Sequence, residues 1–485
     1  MTCVGRLEDE TAPRDAAETR ARRRRAMARR AIALAVAIIG TALVSARGGD
    51  AAADVEHMEE PRGRARVGET NSSAEGFVRV VDANAFARGE CDSPFVFAGF
   101  NAYGLGELGA DFEDGAYMFG VDRGQGRRAA TRMLDAASDA GMNAARVWAF
   151  SVNERRKTWR RNARGELEHD EAFLTGLDWV VGEASKRRMV LILALADHWH
   201  TTSEFLAECV GDADADMSEF YERVECREMY VWHASKILMR YRDEPAVGAY
   251  NLINEPRCRG CDESLQRWID WAAPFVKTLA PNQLLTIGEE GFYAAGEDNA
   301  RVNPASWAGT TGQDFNRNHA SSAIDFAALH VWRDNWAVYS PSVRFDAEAF
   351  TRRWIAAHER DARMILRKPL VVEEFGAAPG GARALARTGR QSASMWTSRR
   401  DERGVNNYYR GVFSQVKRNL DDTESSLRGA LFWGLFPESM RAEVDQWDPF
   451  AVYPSDGAFE LASRFAQSIE SSSTRATSCN DESTR

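Results

Sequence analysis

Glu255 and Glu374 are the residues of this chain best suited to paired acid–base work. Each sits where a short apolar run ends: Gly248–Asn254 runs into Glu255-Pro256, and Pro369–Glu373 runs into Glu374-Phe375-Gly376. Two carboxyls brought face to face can divide the cleavage of a glycosidic bond, one protonating the departing oxygen and the other attacking the sugar carbon. Further polar and aromatic residues fall at equivalent points of other runs: Asn101, Arg146 with Trp148, Asp197 with Trp199, Glu290, His330 with Trp332, and Trp433. Asn254 is placed to hold a sugar hydroxyl, and His330 to bond either glutamate. Arg146 is placed to keep Glu374 ionised, because a neighbouring cation lowers a carboxyl pKa. Trp433 could form a sugar platform, and Trp199, Trp336 and Trp447 could either stack on sugar or fill a core. No serine elbow and no H-E-x-x-H is present, which disfavours esterase and zinc-protease chemistry. The one C-x-x-C, Cys258 to Cys261, has no second pair at zinc-ribbon spacing. Asp212–Asp216 imitates the start of a calcium loop, but Met217 stands where glycine is needed and Arg223 where the bidentate glutamate belongs. It reads as a solvated acidic loop, so neither a metal nor a cofactor is expected.

The elements that must position these residues repeat along the chain. Eight short apolar runs alternate with longer helical stretches: Phe95–Asn101, Ala144–Phe150, Val190–Ala196, Gly248–Asn254, Leu284–Gly288, Ile324–His330, Pro369–Glu373 and Gly429–Leu435. Intervening segments such as Gly126–Ala140 and Arg227–Tyr241 read as helices. Near-continuous apolar strands alternating with helices imply a parallel sheet covered on both faces. Eight units closing on themselves make an α/β fold, a (β/α)8 TIM barrel forming one large domain over residues 76–470. Active sites of such barrels lie at the C-terminal ends of the strands. The fourth and seventh strands, which end in Glu255 and Glu374, then face each other across the mouth. An open doubly wound sheet is the competing architecture, since Gly104-Leu-Gly-Glu-Leu-Gly has the letters of a phosphate loop. No isolated acid ends a second strand ~20 residues further on, which removes its support. Phe77–Val81 and Phe95–Phe97, bracketing Asn84 and Gly89, predict a small hairpin leading into the domain.

Charge and composition narrow the function classes. The 485 residues carry 62 basic and 72 acidic side chains, a net −10, so no general attraction to nucleic acid is expected. Residues 1–46 hold nine arginines and five acids, and the arginines precede the apolar run Ala31–Ala46. At 16 residues that run is short of the ~20 that span a bilayer, and it ends Val44-Ser45-Ala46, as a signal peptide does. A secretory signal over 1–46 is therefore expected, with an uncleaved membrane anchor as the alternative. Either way the main domain enters the secretory pathway. Residues 47–75 read as a disordered linker and 471–485 as a flexible tail. Removing the signal deletes Cys3 and leaves six cysteines, enough for up to three disulfides. Cys209 with Cys226 and Cys258 with Cys261 are the pairs nearest in sequence.

At these residues the sequence resembles glycoside hydrolase family 5, and within it the plant-type endo-β-1,4-mannanases. Asn254-Glu255-Pro256 resembles the family's acid/base strand, and Glu374-Phe375-Gly376 its nucleophile strand. Leu252–Cys258, Leu284–Tyr293 with Glu290, Gly312-Gln-Asp-Phe and Asp334-Asn-Trp336 resemble longer strings of the subgroup. The resemblance spans about Phe77 to Ser468. It implies a secreted, monomeric, retaining hydrolase of β-mannan-type polysaccharide. A β-1,4-glucanase on the same barrel and a catalytically silent carbohydrate-binding protein are the alternatives. Glu373 is expected to point away from the site, as adjacent strand residues do. The chain departs from the family in having His330-Val-Trp332 where a tyrosine usually follows the histidine, and Asp197-His198-Trp199 on the third strand.

Overall fold

The structure, a computed structural model, describes residues 76–89, 93–111, 124–153, 156–338, 346–382, 402–446 and 448–473. The expected signal and linker, all but the first residues of the expected tail, and Trp447 lie outside these residues. The last helix, Gly457–Ser473, continues slightly past the expected domain boundary.

Thirteen strands occur among the described residues. The first three, β1 (Val78–Asp82), β2 (Ala85–Arg88) and β3 (Ser93–Phe95), make a small antiparallel sheet. The sequence suggested a two-stranded hairpin. The middle strand, Ala-Phe-Ala-Arg, lacks β-branched residues, and packing rather than propensity holds it. Phe86 lies edge-on to Phe97 and Phe326 at 5.2 and 5.6 Å between ring centroids. With Val78 and Phe95 these rings join Val190, Leu284 and Val371 in an inner core that plugs the N-terminal end of the barrel.

The barrel strands are β4 (Phe97–Asn101), β5 (Ala144–Trp148), β8 (Val190–Ala194), β9 (Val247–Asn251), β10 (Leu284–Thr286), β11 (Ala327–Val331), β12 (Leu370–Phe375) and β13 (Leu427–Phe432). All eight coincide with the apolar runs of the sequence. They pair in parallel in the order β10-β9-β8-β5-β4-β13-β12-β11. Bonds from Asp325 N to Leu285 O (2.8 Å) and from His330 N to Glu290 O (3.1 Å) link the two end strands. The sheet therefore closes on itself as a (β/α)8 barrel, with helices such as Gly126–Asp139 and Val224–Tyr241 packed outside. The short strands β6 (Trp159–Arg161) and β7 (Leu167–His169) form a hairpin in the connection after β5.

The glycines from Gly104 serve packing. The helix Leu105–Ala110 crosses the helix Glu171–Lys186 closely. A Cβ at Gly109 would lie 2.4 Å from Gly176 O, and one at Gly176 would lie 2.2 Å from Ala110 N. Disulfides join Cys209 to Cys226 and Cys258 to Cys261. Cys91 and Cys479 fall outside the described residues.

Candidate active site

Arg146 organises the barrel interior beneath the mouth. It points inward from β5 and is fully buried. Its Nη1 donates to Glu374 and, at 3.1 Å, to Asn101 Oδ1. Nη2 donates to Asn254 Oδ1 at 2.7 Å and Nε to Asn251 Oδ1 at 2.6 Å. A buried cation is tolerable only when its donors are satisfied, and here each nitrogen has a partner. Trp148 lies against the guanidinium at 4.7 Å.

Glu255 and Glu374 face each other over this cation. His330 from β11 sits between them, with Nδ1 2.8 Å from Glu255 Oε1 and 3.4 Å from Glu374 Oε2. One ligand atom from each of Glu255, His330 and Glu374 lies within 4.8 Å of the other two. Such spacing would also suit a metal ion, but the Arg146 guanidinium already occupies Glu374 and opposes a second cation there. The remaining oxygens are held by indoles: Trp332 Nε1 donates to Glu374 Oε2 at 3.1 Å, and Trp199 Nε1 to Glu255 Oε2 at 2.7 Å. Glu255 has a backbone φ of +48°, where a non-glycine residue is strained. Its N–H donates to Gly288 O at 2.8 Å, fixing the turn that aims the carboxyl across the mouth.

Burial pushes the pKa of both glutamates up; the neighbouring guanidiniums work against this, while the charge of Asp197 raises Glu255 further and that of Glu255 raises Glu374. Five buried carboxyls, those of Asp197, Glu255, Glu290, Glu373 and Glu374, gather here around Arg146 and Arg257. That imbalance favours retention of a proton by the glutamate pair. Burial, then Arg146, lowers the pKa of His330 to about 3, so its imidazole is neutral.

The structure brings the remaining sequence-predicted residues to the same rim, in different capacities. Asn101 Nδ2 bonds the backbone oxygens of Glu373 and Phe432. Asp197 Oδ1 accepts from His200 N at 2.6 Å, and Oδ2 lies 3.4 Å from Asn254 Nδ2. Glu290, a candidate for substrate contact, is fully buried and committed to Arg257 and Gln313. Trp433 stacks on Tyr103 at 5.1 Å and donates to Asp448 Oδ2. Trp332 meets Trp433 and Phe450 edge-on, which gives one wall of the mouth a continuous aromatic lining. Trp199, 47% exposed, stands on the other side. Trp336 is core, packed on Phe292 and Trp354.

Glu373 corrects the sequence reading. It does not face away: it accepts from Asn251 Nδ2 at 3.0 Å and lies 3.6 Å from Arg146 Nε. The interior position of Val371 makes Glu373 the inward residue of the alternation. A register shift between β11 and β12 pairs His330 with Glu374, so both glutamates reach the barrel axis at different heights. Sequence reasoning also passed over Asn251, Tyr103, Asp448, Gln313 and Arg257. Period two counted forward along β9 from the inward Ala249 points to Asn251. Arg257 lies beneath an aromatic cluster, 4.9 Å from the Trp199 ring and 5.7 Å from that of Trp307. Nothing local in the sequence foretells that cluster.

A closed parallel barrel carrying facing glutamates at the ends of its fourth and seventh strands is the architecture of a barrel glycoside hydrolase. Residues 75–460 match the GH family 5 beta-mannosidase-like family, and the chain belongs to it. It is 31% identical over 393 residues to mannan endo-1,4-beta-mannosidase 1 of Solanum lycopersicum, covering 78% of this chain and 87% of that one. It is 34% identical over 290 residues to mannan endo-1,4-beta-mannosidase 1 of Arabidopsis thaliana, covering 57% and 67%. Among solved structures, the endo-1,4-beta-mannanase of Rhizomucor miehei superposes with a TM-score of 0.61 at 19% identity, covering 82% of this chain and all of that one. The endo-1,4-beta-D-mannanase of Thermotoga petrophila RKU-1 superposes with 0.57 at 20% identity, covering 77% and 99%. These two likenesses concern the fold.

Proposed function

We propose that the protein is an endo-acting, retaining hydrolase of β-1,4-mannosidic linkages in mannan, glucomannan or galactomannan. The observation that carries the mechanism is the proximity of the acid pair, within 4.8 Å by one atom each. Retaining enzymes hold their carboxyls about 5–5.5 Å apart, and inverting ones about 6.5–9.5 Å. Glu374 receives the Arg146 cation and the Trp332 N–H directly, so the negative charge rests there. Glu255 keeps the proton. Glu374 attacks the anomeric carbon and the glycosidic C–O bond breaks. The Glu255 proton goes to the departing oxygen, and a glycosyl ester remains on Glu374. Glu255, now a carboxylate, takes a proton from water, whose oxygen displaces Glu374 and restores both groups. The neutral His330 positions the two carboxyls through both halves. Trp433 and Trp199 supply apolar faces for sugar rings on either side of the cleavage point.

The relatives named as mannan endo-1,4-beta-mannosidases support the choice of polymer. The two disulfides fit a secreted protein, since such bonds persist in oxidising compartments. No described helix is long and apolar enough to cross a membrane. Reducing-sugar release from glucomannan, linear mannan, carboxymethylcellulose and xylan tests the substrate. Release from both mannans and not from the other two is expected. Release from the cellulose derivative alone would overturn the polymer, and silence on all four from folded protein would overturn catalysis.

A further inference from the structure

A groove of about 830 Å3 lies on the outer, helical face of the barrel, between the β6–β7 hairpin and the helix Val224–Tyr241. That volume falls within the ~300–1,000 Å3 of small-ligand clefts. Its wall carries an aromatic pair, the Trp232 indole stacked on the His169 imidazole at 3.9 Å and 16°. The charges around it are paired: Arg160 with Glu168 at 3.1 Å, Lys236 with Glu171 at 2.8 Å, and Arg240 with Asp178. The groove thus offers no unmatched charge to a phosphate, a metal ion or a polyelectrolyte. Its one strongly exposed apolar side chain is Met239, too little for a protein-docking patch.

The histidines set a specific polar group there. His233 Nε2 donates to Leu195 O at 3.1 Å, which leaves its Nδ1 as an acceptor. His169 Nε2 lies 3.2 Å from that Nδ1 and must donate to it. The chain of bonds leaves His169 Nδ1 with a lone pair, an acceptor for a hydroxyl. Burial, with Lys236 adding to the effect, lowers the His169 pKa to about 3, so the tautomer holds at neutral pH. An aromatic face, a fixed neutral acceptor, the Ser235 hydroxyl and balanced charge together match a neutral polyhydroxylated ring.

We propose that this groove is a second, non-catalytic binding site for neutral saccharide, holding a stretch of the polymer away from the cleavage point. None of its lining residues touches Glu255 or Glu374. The choice of polymer rests on the function proposed above; the saccharide class does not.

The test is retardation of the full secreted chain in native gels containing galactomannan, hydroxyethylcellulose or arabinoxylan, read beside turnover of mannopentaose. Ser235→Trp fills the groove from its wall, and Trp232→Ala removes the platform. We expect wild-type retardation in at least one gel, reduced at least fivefold by Ser235→Trp, with mannopentaose turnover unchanged. Equal retardation of wild type and Ser235→Trp, or no retardation of wild type in any gel, overturns the proposal. If Trp232→Ala fails to fold, Ser235→Trp alone decides. Wild-type inactivity on mannopentaose would count against the proposed function, while retardation would still report on the groove.

Discussion

Trp332 gives Glu374 a donor that neither ionises nor accepts a hydrogen bond. The indole N–H can stabilise the carboxylate but cannot exchange a proton with it. A hydrogen bond to a charged group contributes about 1.5–3 kcal/mol. Trp332→Phe should therefore lower kcat on mannooligosaccharides by about tenfold to a hundredfold, and Trp332→Tyr, which restores a donor, should recover much of it. Equal loss in both variants would mean that packing against Trp433 and Phe450, not the donor, is what matters. The acid pair predicts a pH profile with two limbs. Activity rises as one carboxyl of the pair ionises and falls as the second proton leaves Glu255. Glu255→Gln should abolish turnover of polysaccharide but retain activity on a substrate with an activated leaving group, and that residual activity should lose its alkaline limb. A persisting alkaline limb would assign the limb to another group. His330, neutral down to about pH 3, supplies neither limb.

At the scale of elements, the helix crossing at Gly109 and Gly176 is a close backbone contact. Gly176→Ala would put a Cβ 2.2 Å from Ala110 N, and backbone cannot swing aside as a side chain can. Overpacking costs about 1–3 kcal/mol, so a thermal melt should show Tm lowered by several degrees. An unchanged Tm would mean the helices are loosely docked. The barrel strands were legible in the sequence because a sheet covered on both faces needs unbroken apolar runs, and most runs ended in, or directly before, a polar residue. Glu255 and Glu374 were legible for the same reason. Glu373 was misread because alternation with Glu374 was assumed, whereas a register shift between β11 and β12, a property of two strands distant in sequence, lets both glutamates reach the barrel axis. Arg257 and Asp448 went unnoticed because their partners, Trp199 with Glu290 and Trp433, come from other loops. The middle strand β2 escaped because Phe86 is held by Phe97 and Phe326 rather than by local propensity.

For the molecule as a whole, buried carboxyls outside the acid pair set part of the pH dependence of stability. Glu107 accepts from Ser151 Oγ and Val152 N, and burial raises its pKa from 4.5 to about 7. The folded state therefore holds a proton that the unfolded state releases from about pH 4.5 upward. Its contribution is unpenalised below pH 4.5, declines as pH rises towards 7, and is level above that. Glu107→Gln removes the penalty, so its stability relative to wild type should rise by on the order of 3 kcal/mol between pH 4.5 and 8. Urea titrations at the two pH values measure this, and a constant difference would place the charged Glu107 in a better-solvated setting. The Cys209–Cys226 bond closes a loop of 17 residues, which the chain-entropy treatment values at about 3 kcal/mol. Cys226→Ser should lower Tm and remove most of the sensitivity of that segment to reductant.

The central claim is that Glu374 carries the sugar between the two halves of the reaction. The most direct measurement is trapping with a 2-deoxy-2-fluoro mannobiosyl fluoride, followed by mass spectrometry of the digested protein. The account predicts a stoichiometric label on the peptide containing Glu374 and localised to that residue, with activity lost in parallel. A label on Glu373, Glu255 or Glu290, or continued turnover with inversion at the anomeric carbon and no label, would contradict it.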